Sequence, residues 1–360
     1  MKAKKLLTCA ALILLAAGSI GTFGRSDRTE KNIVQEPQST EETVVTKPPV
    51  RSITLTAVGD CTFATDINAS RELGFVTYAE RNGTGWFMKN VKDIFAEDDL
   101  TIVNFEGTLS DRGERENKTF AFRGDPSYAD ILSSSSIEAA NLANNHSLDY
   151  GQISLDDTKM YLDNAGILHC RGEEDVCLTQ INGINVGLVG INYLNDQMRT
   201  ELESAIAKAK NMGAELVILS IHWGIEKATA PNEDQIQAAH TAIDCGADLV
   251  IGTHPHVLQG FEKYKGRYIC YSLGNFCFGG NNAPSDMDSA IFRQTFTYDG
   301  SVLRDDDNTE IIPCRISSVD GYNDYCPTPA QGSRKTAIED KLTAYTSALG
   351  DLRLNFTSGM

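Results

Sequence analysis

The chain has 360 residues, with 32 Lys and Arg against 49 Asp and Glu and a formal net charge of −17, so its surface is strongly acidic. That balance argues against nucleic acid as a partner, because phosphate backbones are bound by clustered Lys and Arg. A hydrophobic fraction of 41% and a charged fraction of 22% are ordinary globular usage, which excludes wholesale disorder and allows a substantial core.

Lys2, Lys4 and Lys5 precede an uncharged run from Leu6 to Phe23, which Arg25 closes. A span of the bilayer needs roughly 20 apolar residues, so residues 1–25 read as an uncleaved membrane anchor with its lysines on the cytoplasmic side. Cleavage near Ala17–Ser19 would instead secrete the protein. Cys9 lies too early for a lipoprotein signal. Residues 26–50 carry Pro37, Pro48 and Pro49 among Thr, Ser and Glu, and read as a disordered tether. Setting the four cations Lys2, Lys4, Lys5 and Arg25 aside takes the charge from −17 to −21, so an acidic body is expected on the extracytoplasmic face.

From Ile53 onward short apolar runs alternate with amphipathic stretches, the pattern of an α/β fold. Ile53–Val58, Leu100–Phe105, Ile137–Leu142, Val186–Ile191, Leu216–Ile221, Leu249–Gly252 and Tyr268–Leu273 are predicted strands. Trp86–Phe95, Ser154–Asn164, Glu201–Asn211 and Glu233–Asp244 are predicted helices, the last three stopping before Gly166, Gly213 and Gly246. Further strands are expected at Ile291–Tyr298 and Thr309–Ser317, and an amphipathic helix near Lys335–Leu349. The resulting division is a single α/β domain over 51–330, followed by a helix and tail over 331–360.

Five of the predicted strands deliver oxygen or imidazole groups at their carboxyl ends: Gly59-Asp60, Asn104-Phe105-Glu106, Asn144-Asn145-His146, His222-Trp223-Gly224 and His254-Pro255-His256. Sites in open α/β sheets are built at that edge, because strand ends are rigid while their loops can vary. Each motif alone has an ordinary explanation as a cap, a turn or a hydrogen-bonded core residue. Four of the six histidines nevertheless fall in these motifs. Asp, Glu, Asn and His together form a mixed nitrogen and oxygen donor set suited to Zn, Mn or Fe. His254 and His256, two apart on what reads as an extended segment, would point to one side.

These segments, together with Ala143–Gly151, Gly246–Asp248, Gly252–Val257 and Tyr271–Phe276, resemble the CapA family of bacterial capsule-synthesis proteins. That family is associated with poly-γ-glutamate production and is a distant branch of the calcineurin-like metallophosphoesterases. The resemblance runs from about Ile53 to Phe278. It implies a four-layer fold, two mixed β-sheets sandwiched by helices, with a site holding one or two divalent ions at the strand ends. His222 and His254 with Asn145 would bind one ion, and Asp60 with His256 the other, while Glu106 takes the place of a bridging aspartate. His146 would be the general acid, oriented by Asp149. Two departures stand out: Asp60-Cys61-Thr62 lacks the histidine of the superfamily's Asp-x-His, and Asn104-Phe105-Glu106 replaces Gly-Asp-x-x-Asp. One well-made site and a second, weaker or substrate-completed one are therefore expected.

The implied function is a metal-dependent hydrolase of phosphoesterase type, serving synthesis, transport or surface attachment of an anionic capsule polymer. Its partners would be the polymer or its precursor, the subunits of a membrane synthase or ligase, and the membrane itself through the anchor. A non-catalytic accessory subunit of such a synthase and a general extracytoplasmic phosphoesterase are the competing readings. Arg123 and Asn275 are candidate substrate contacts, though a local ion pair and a turn explain them as well. Trp223 and His240 are expected to pack, and His169 has no ligand neighbour. The eight cysteines after Cys9 suggest disulfides in an exported protein, with Cys170–Cys177 and Cys314–Cys326 the nearest pairs.

Overall fold

A computed structural model describes residues 49–70, 72–194, 198–305 and 307–358. The expected anchor at 1–25 and nearly all of the expected tether lie outside the described residues. Among the described residues no helix is long and apolar enough to cross a membrane.

The chain runs β1 (Val50–Thr62), α1 (Phe75–Asn82), α2 (Lys92–Phe95), β2 (Leu100–Phe105), β3 (Thr108–Leu109), β4 (Arg123–Gly124), α3 (Ala129–Ser133), β5 (Ala139–Asn141), α4 (Gln152–Asn164), β6 (Leu168–Cys170), β7 (Cys177–Ile181) and β8 (Ile184–Tyr193). It continues with α5 (Arg199–Asn211), β9 (Leu216–Trp223), α6 (Glu233–Cys245), β10 (Leu249–Thr253), β11 (Phe261–Tyr264), β12 (Arg267–Cys270), β13 (Asn275–Phe278), β14 (Asp288–Asp299), β15 (Val302–Leu303), β16 (Thr309–Arg315), β17 (Thr328–Pro329) and α7 (Gly332–Ser347).

Two mixed sheets carry the fold. The first runs in the order β17-β16-β14-β1-β2-β5-β6, with β13 also on β1, and the second runs β11-β12-β10-β9-β8-β7. In the first sheet β1, β2, β5 and the edge strand β6 are parallel while β14 pairs antiparallel with β1; in the second β8, β9, β10 and β12 are parallel and the edge strands β7 and β11 pair antiparallel. Three apolar clusters separate the layers. Leu55, Ile102, Leu188, Ile218 and Ile251 meet between the sheets. Val103 and Phe105 pack outward against Phe75, Ile131 and Leu155 of α1, α3 and α4, and Val217 and Leu219 pack outward against Ile206 and Ala239 of α5 and α6. Parallel strands covered on both faces need continuous apolar runs, which is why these segments stood out in the sequence.

Several expectations are corrected. Trp86–Phe95 is not one helix but a 3-10 turn at Thr84–Trp86, further turns and the single-turn α2. The Trp86 indole donates to the carbonyl of Asp324 at 2.9 Å and the Asn90 amide to the Thr328 hydroxyl at 2.9 Å, ties that bind this stretch to a distant loop. β1 begins at Val50, inside the segment read as tether. α1, β6, β7, β11 and β13 had no counterpart in the sequence reading. β14 pairs with β1 over eight positions, and α7 buries Ile338 and Leu342 in the inter-sheet cluster. The two disulfide pairings are absent, and all eight cysteines among the described residues are free thiols. Cys170 and Cys177 belong to strands of different sheets, and Cys314 sits opposite Pro329. α6 follows its sequence signals closely: Asn232 and Gln235 form a reciprocal capping box, and Gly246 takes φ 105° at the other end, a left-handed backbone that suits glycine.

Candidate metal centre

Strand parity aims the donors. In β2, Leu100 and Ile102 face the inter-sheet core while Val103 and Phe105 face the helices, so Asn104 and the following Glu106 look toward the second sheet. In β9, Leu216 and Ile218 face inward and Leu219, Ile221 and Trp223 outward, so His222 looks back at the first sheet. β1 departs from simple alternation. Ala57 pairs with Ile102 but Asp60 with Asn104, so β1 carries one extra residue there. This bulge reverses the alternation: Ile53, Leu55 and Ala57 face the inter-sheet core, Cys61 faces the helices, and Asp60 is turned toward the second sheet. Gly59 makes the bulge possible, since a Cβ there would lie 1.8 Å from the Gly274 carbonyl oxygen.

The donors form one buried network. The Asn104 amide donates to Asp60 Oδ1 at 2.8 Å and lies 3.3 Å from Glu106 Oε1. His222 Nε2 is 2.9 Å from Asn145 Oδ1, and its Nδ1 is 3.2 Å from Thr253 Oγ1 and 3.7 Å from Glu106 Oε1. Asp60 Oδ2 lies 3.1 Å from His256 Nδ1. The His222 and His254 ring centroids are 4.5 Å apart and those of His254 and His256 5.9 Å. The His254–His256 segment is not extended as expected: its histidines take φ 94° and 58°. Tertiary hydrogen bonds impose this shape, with the His254 N–H directed at the Asp60 carboxylate (3.3 and 3.4 Å) and the Pro255 carbonyl accepting from Lys227 N at 2.8 Å. Asn275 lies in β13 rather than a turn. Its Oδ1 is 2.9 Å from His256 Nδ1 and its amide donates to the His256 carbonyl at 3.2 Å, so it orients that ring.

Two sets of donors have one ligand atom each within 4.8 Å of one another: Asp60, Glu106 and His222, and Glu226, His254 and His256. The resemblance implied a different division, with His222 and His254 on one ion and Asp60 and His256 on the other. The chemistry fits divalent metal. The donors are imidazole and carboxylate, and His254 Nδ1 is buried without a hydrogen-bond partner among the described residues. Burial and the Asp60 charge hold the Glu106 carboxyl well above its usual range, with the His256 charge opposing. Burial disfavours a charge on His256, but Glu106 and Asp60 outweigh it and hold its pKa up at about 9. Burial, then the His256 charge, pushes His254 down to about 4, and burial together with both neighbouring histidines keeps His222 well below its ordinary value. Neutral imidazole is the ligating form, which His222 and His254 favour, while His256 would give up its proton when an ion binds.

Beside this network a cavity of about 370 Å³ is lined by Phe120, Phe122, His146, Glu226, His256 and Phe278, among others. His146 Nδ1 is 2.8 Å from Asp149 Oδ2, in a run of turns rather than a helix. The other Asp149 oxygen accepts from Lys118 Nζ at 2.7 Å, and Lys118 also donates to the Asn145 carbonyl at 2.8 Å. Arg123 does not line the cavity: its guanidinium donates to the Gly113 carbonyl at 3.2 Å and lies 4.1 Å from the Tyr150 ring centroid. The Trp223 indole donates to the Tyr271 carbonyl and packs among the outer apolar cluster. His240 is half-buried and 2.9 Å from Glu262, and His169 is paired with Asp175 at 3.2 Å. Asn275 borders the cavity. The sequence reading missed Glu226, Lys118 and Thr253. Glu226 follows Gly224 by two residues, so the loop after a ligand-bearing strand was the available signal; Lys118 had none.

A family model described as "Bacterial capsule synthesis protein PGA_cap" matches residues 54–280. The PGA biosynthesis protein CapA of Bacillus subtilis (strain 168) is 30% identical over 239 residues, which cover 60% of this chain and 62% of that protein. The capsule biosynthesis protein CapA of Bacillus anthracis is 28% identical over 291 residues, 73% of this chain and 67% of that protein. The match thus spans less than two thirds of the Bacillus subtilis relative. Among solved structures, a 5′-nucleotidase precursor from Thermus thermophilus aligns with a TM-score of 0.43 and 14% identity, covering 83% of this chain and 59% of that one. With the family match covering more than half of its length, the chain belongs to the PGA_cap family of bacterial capsule synthesis proteins.

Proposed function

We propose that this chain is a membrane-anchored, extracytoplasmic protein acting on an anionic capsule polymer of poly-γ-glutamate type, or on its precursor, through a metal-dependent hydrolase site in a metallophosphoesterase-like four-layer fold. The observation that carries this reading is the meeting of Asp60, Glu106, Asn145, His222, His254 and His256, from five strand ends of two sheets, beside a cavity that also presents His146. These residues would hold one or two ions of Mn, Fe or Zn. A divalent ion, when bound, supplies positive charge that polarises a phosphoryl or carbonyl oxygen and acidifies water.

The rest of the chemistry belongs to the chain. Asp149 accepts from the Nδ1 side of His146, which leaves Nε2 to donate a proton to a leaving oxygen. Lys118 neutralises Asp149 from its other oxygen and ties it to Asn145, so the acid and the donor network share one support. Phe120, Phe122 and Phe278 give the cavity an apolar wall that lowers water activity around the reacting group. The acidic surface repels a polyanion, and screening over about 8 Å lets a local cation at the site act against that field.

One observation favours the accessory reading, in which the chain supports a membrane synthase or ligase without catalysis. Thr62 stands where the superfamily has a histidine, and its hydroxyl is directed to Glu106 Oε2 at 3.4 Å. The two readings separate on the full-length chain, assayed for bound metal and for cleavage of a chromogenic phosphodiester with and without chelator, alongside capsule formation in cells. Turnover that needs metal and disappears in His146→Ala and His222→Ala supports the hydrolase. Capsule formation by a metal-free His222→Ala protein sinks it.

A further inference from the structure

The superfamily pattern loses a histidine at Thr62, yet the loop after β9 brings in a carboxylate that the pattern does not contain. Glu226 is exposed, and what places it is backbone. The Lys227 N–H donates to the Pro255 carbonyl at 2.8 Å with φ 64° at Lys227, and the Gln259 amide donates to the Ala228 carbonyl at 2.8 Å. The two loops that follow β9 and β10 are therefore fastened to each other, and Glu226 comes to stand over His254 and His256. One ligand atom from each of the three lies within 4.8 Å of the others.

One feature beyond the clustering itself points to a cation there. His254 is 8% exposed, and its Nδ1 has no hydrogen-bond partner among the described residues. An unpaired buried polar atom of this kind is costly, and coordination would remove that cost. The left-handed backbone at His254 and His256, set by the hydrogen bonds from His254 N–H to Asp60 and from Lys227 N–H to Pro255, leaves both histidines beside Glu226. Two imidazoles and one carboxylate, with the remaining positions left to solvent or substrate, make the donor set of a catalytic rather than a structural divalent site.

We infer that Glu226 is a metal ligand and that with His254 and His256 it forms a second divalent-cation site, next to one made by Asp60, Glu106 and His222. The inference rests on the metal-centre reading above and deepens it by dividing the donors differently and adding one from another loop. Because Glu226 is exposed, the second ion exchanges with solvent more readily than the first.

The test uses full-length chain stripped with chelator and titrated with Mn²⁺, reading stoichiometry by calorimetry and the coupling between ions by low-temperature electron paramagnetic resonance. Wild type should take two ions per chain with an exchange-coupled spectrum, as expected for ions about 3.5–4 Å apart. Glu226→Gln should take one ion, with an uncoupled spectrum and an unchanged melting temperature for the metal-free protein. Two coupled ions in Glu226→Gln would overturn the assignment. One ion in wild type, unaffected by Glu226→Gln, would overturn the second site while leaving the metal-centre reading intact. No ion in wild type would overturn both.

Discussion

The two donor sets differ in what holds them. Asp60, Glu106 and His222 sit at or just beyond strand ends, are no more than 1% exposed, and share the Asn104 amide between them. Glu226, His254 and His256 sit on loops, two of them with positive φ, and their placement depends on a few backbone hydrogen bonds between those loops. A set carried by two packed sheets is rigid because moving one donor means moving a strand. A set carried by fastened loops can open locally without unfolding the core. The centre therefore combines a fixed half and an adjustable half, and substitutions should affect the two halves unequally.

The largest expected effect is on the fixed half. His222→Ala should weaken metal binding by more than about 100-fold, the upper range for a mere supporting residue, as read by Mn²⁺ titration. Binding within a few-fold of wild type would show that the strand-borne set does not hold an ion. His146→Ala should lower kcat by about 10²–10⁴-fold while leaving metal content intact, which separates acid from ligands. Gly59→Ala attacks the bulge that aims Asp60, and overpacking against the Gly274 carbonyl should cost about 1–3 kcal/mol in urea unfolding.

A smaller effect isolates the scaffold. Asp98, just before β2, is buried and its pKa is pushed up to about 7, mainly by burial and with the Thr101 hydroxyl opposing. A folded-state pKa above the ordinary 3.8 means that the folded protein holds this proton more tightly than the unfolded chain. The associated stability is complete below pH 3.8 and is lost as pH rises through about 7. Asp98→Asn should therefore gain stability relative to wild type progressively as pH rises from about 4 to about 7, more at pH 8 than at pH 5 by on the order of 2 kcal/mol, checked by melting temperatures across that range. A flat difference would mean that Asp98 ionises as freely in the fold as outside it.

Much of the site was legible along the chain, for a definite reason. A donor at the carboxyl end of a parallel strand, or in the few residues that follow it, is announced twice, by the apolar run before it and by its own chemistry, and Asp60, Glu106, Asn145, His146, His222, His254 and His256 all lie there. The extended reading of the His-Pro-His segment was incorrect because its backbone is set by Asp60 and Lys227 rather than by its own residues. The Trp86–Phe95 helix was incorrect because Trp86 and Asn90 are tied to residues more than 200 positions away. Lys118, in the loop between β3 and β4, reaches Asp149 after β5, and no local pattern marks such a residue.

By itself the sequence determined the alternation of strands and helices, the chemistry of the donors and the sheet edge at which they emerge, since these follow from local periodicity and side-chain type. Only the tertiary structure decided which donors share an ion-sized space, that the bulge at Gly59 turns Asp60 toward the second sheet, and that Glu226 joins the histidines. Those outcomes depend on register between strands and on hydrogen bonds between loops, and neither is encoded within the reach of a single segment.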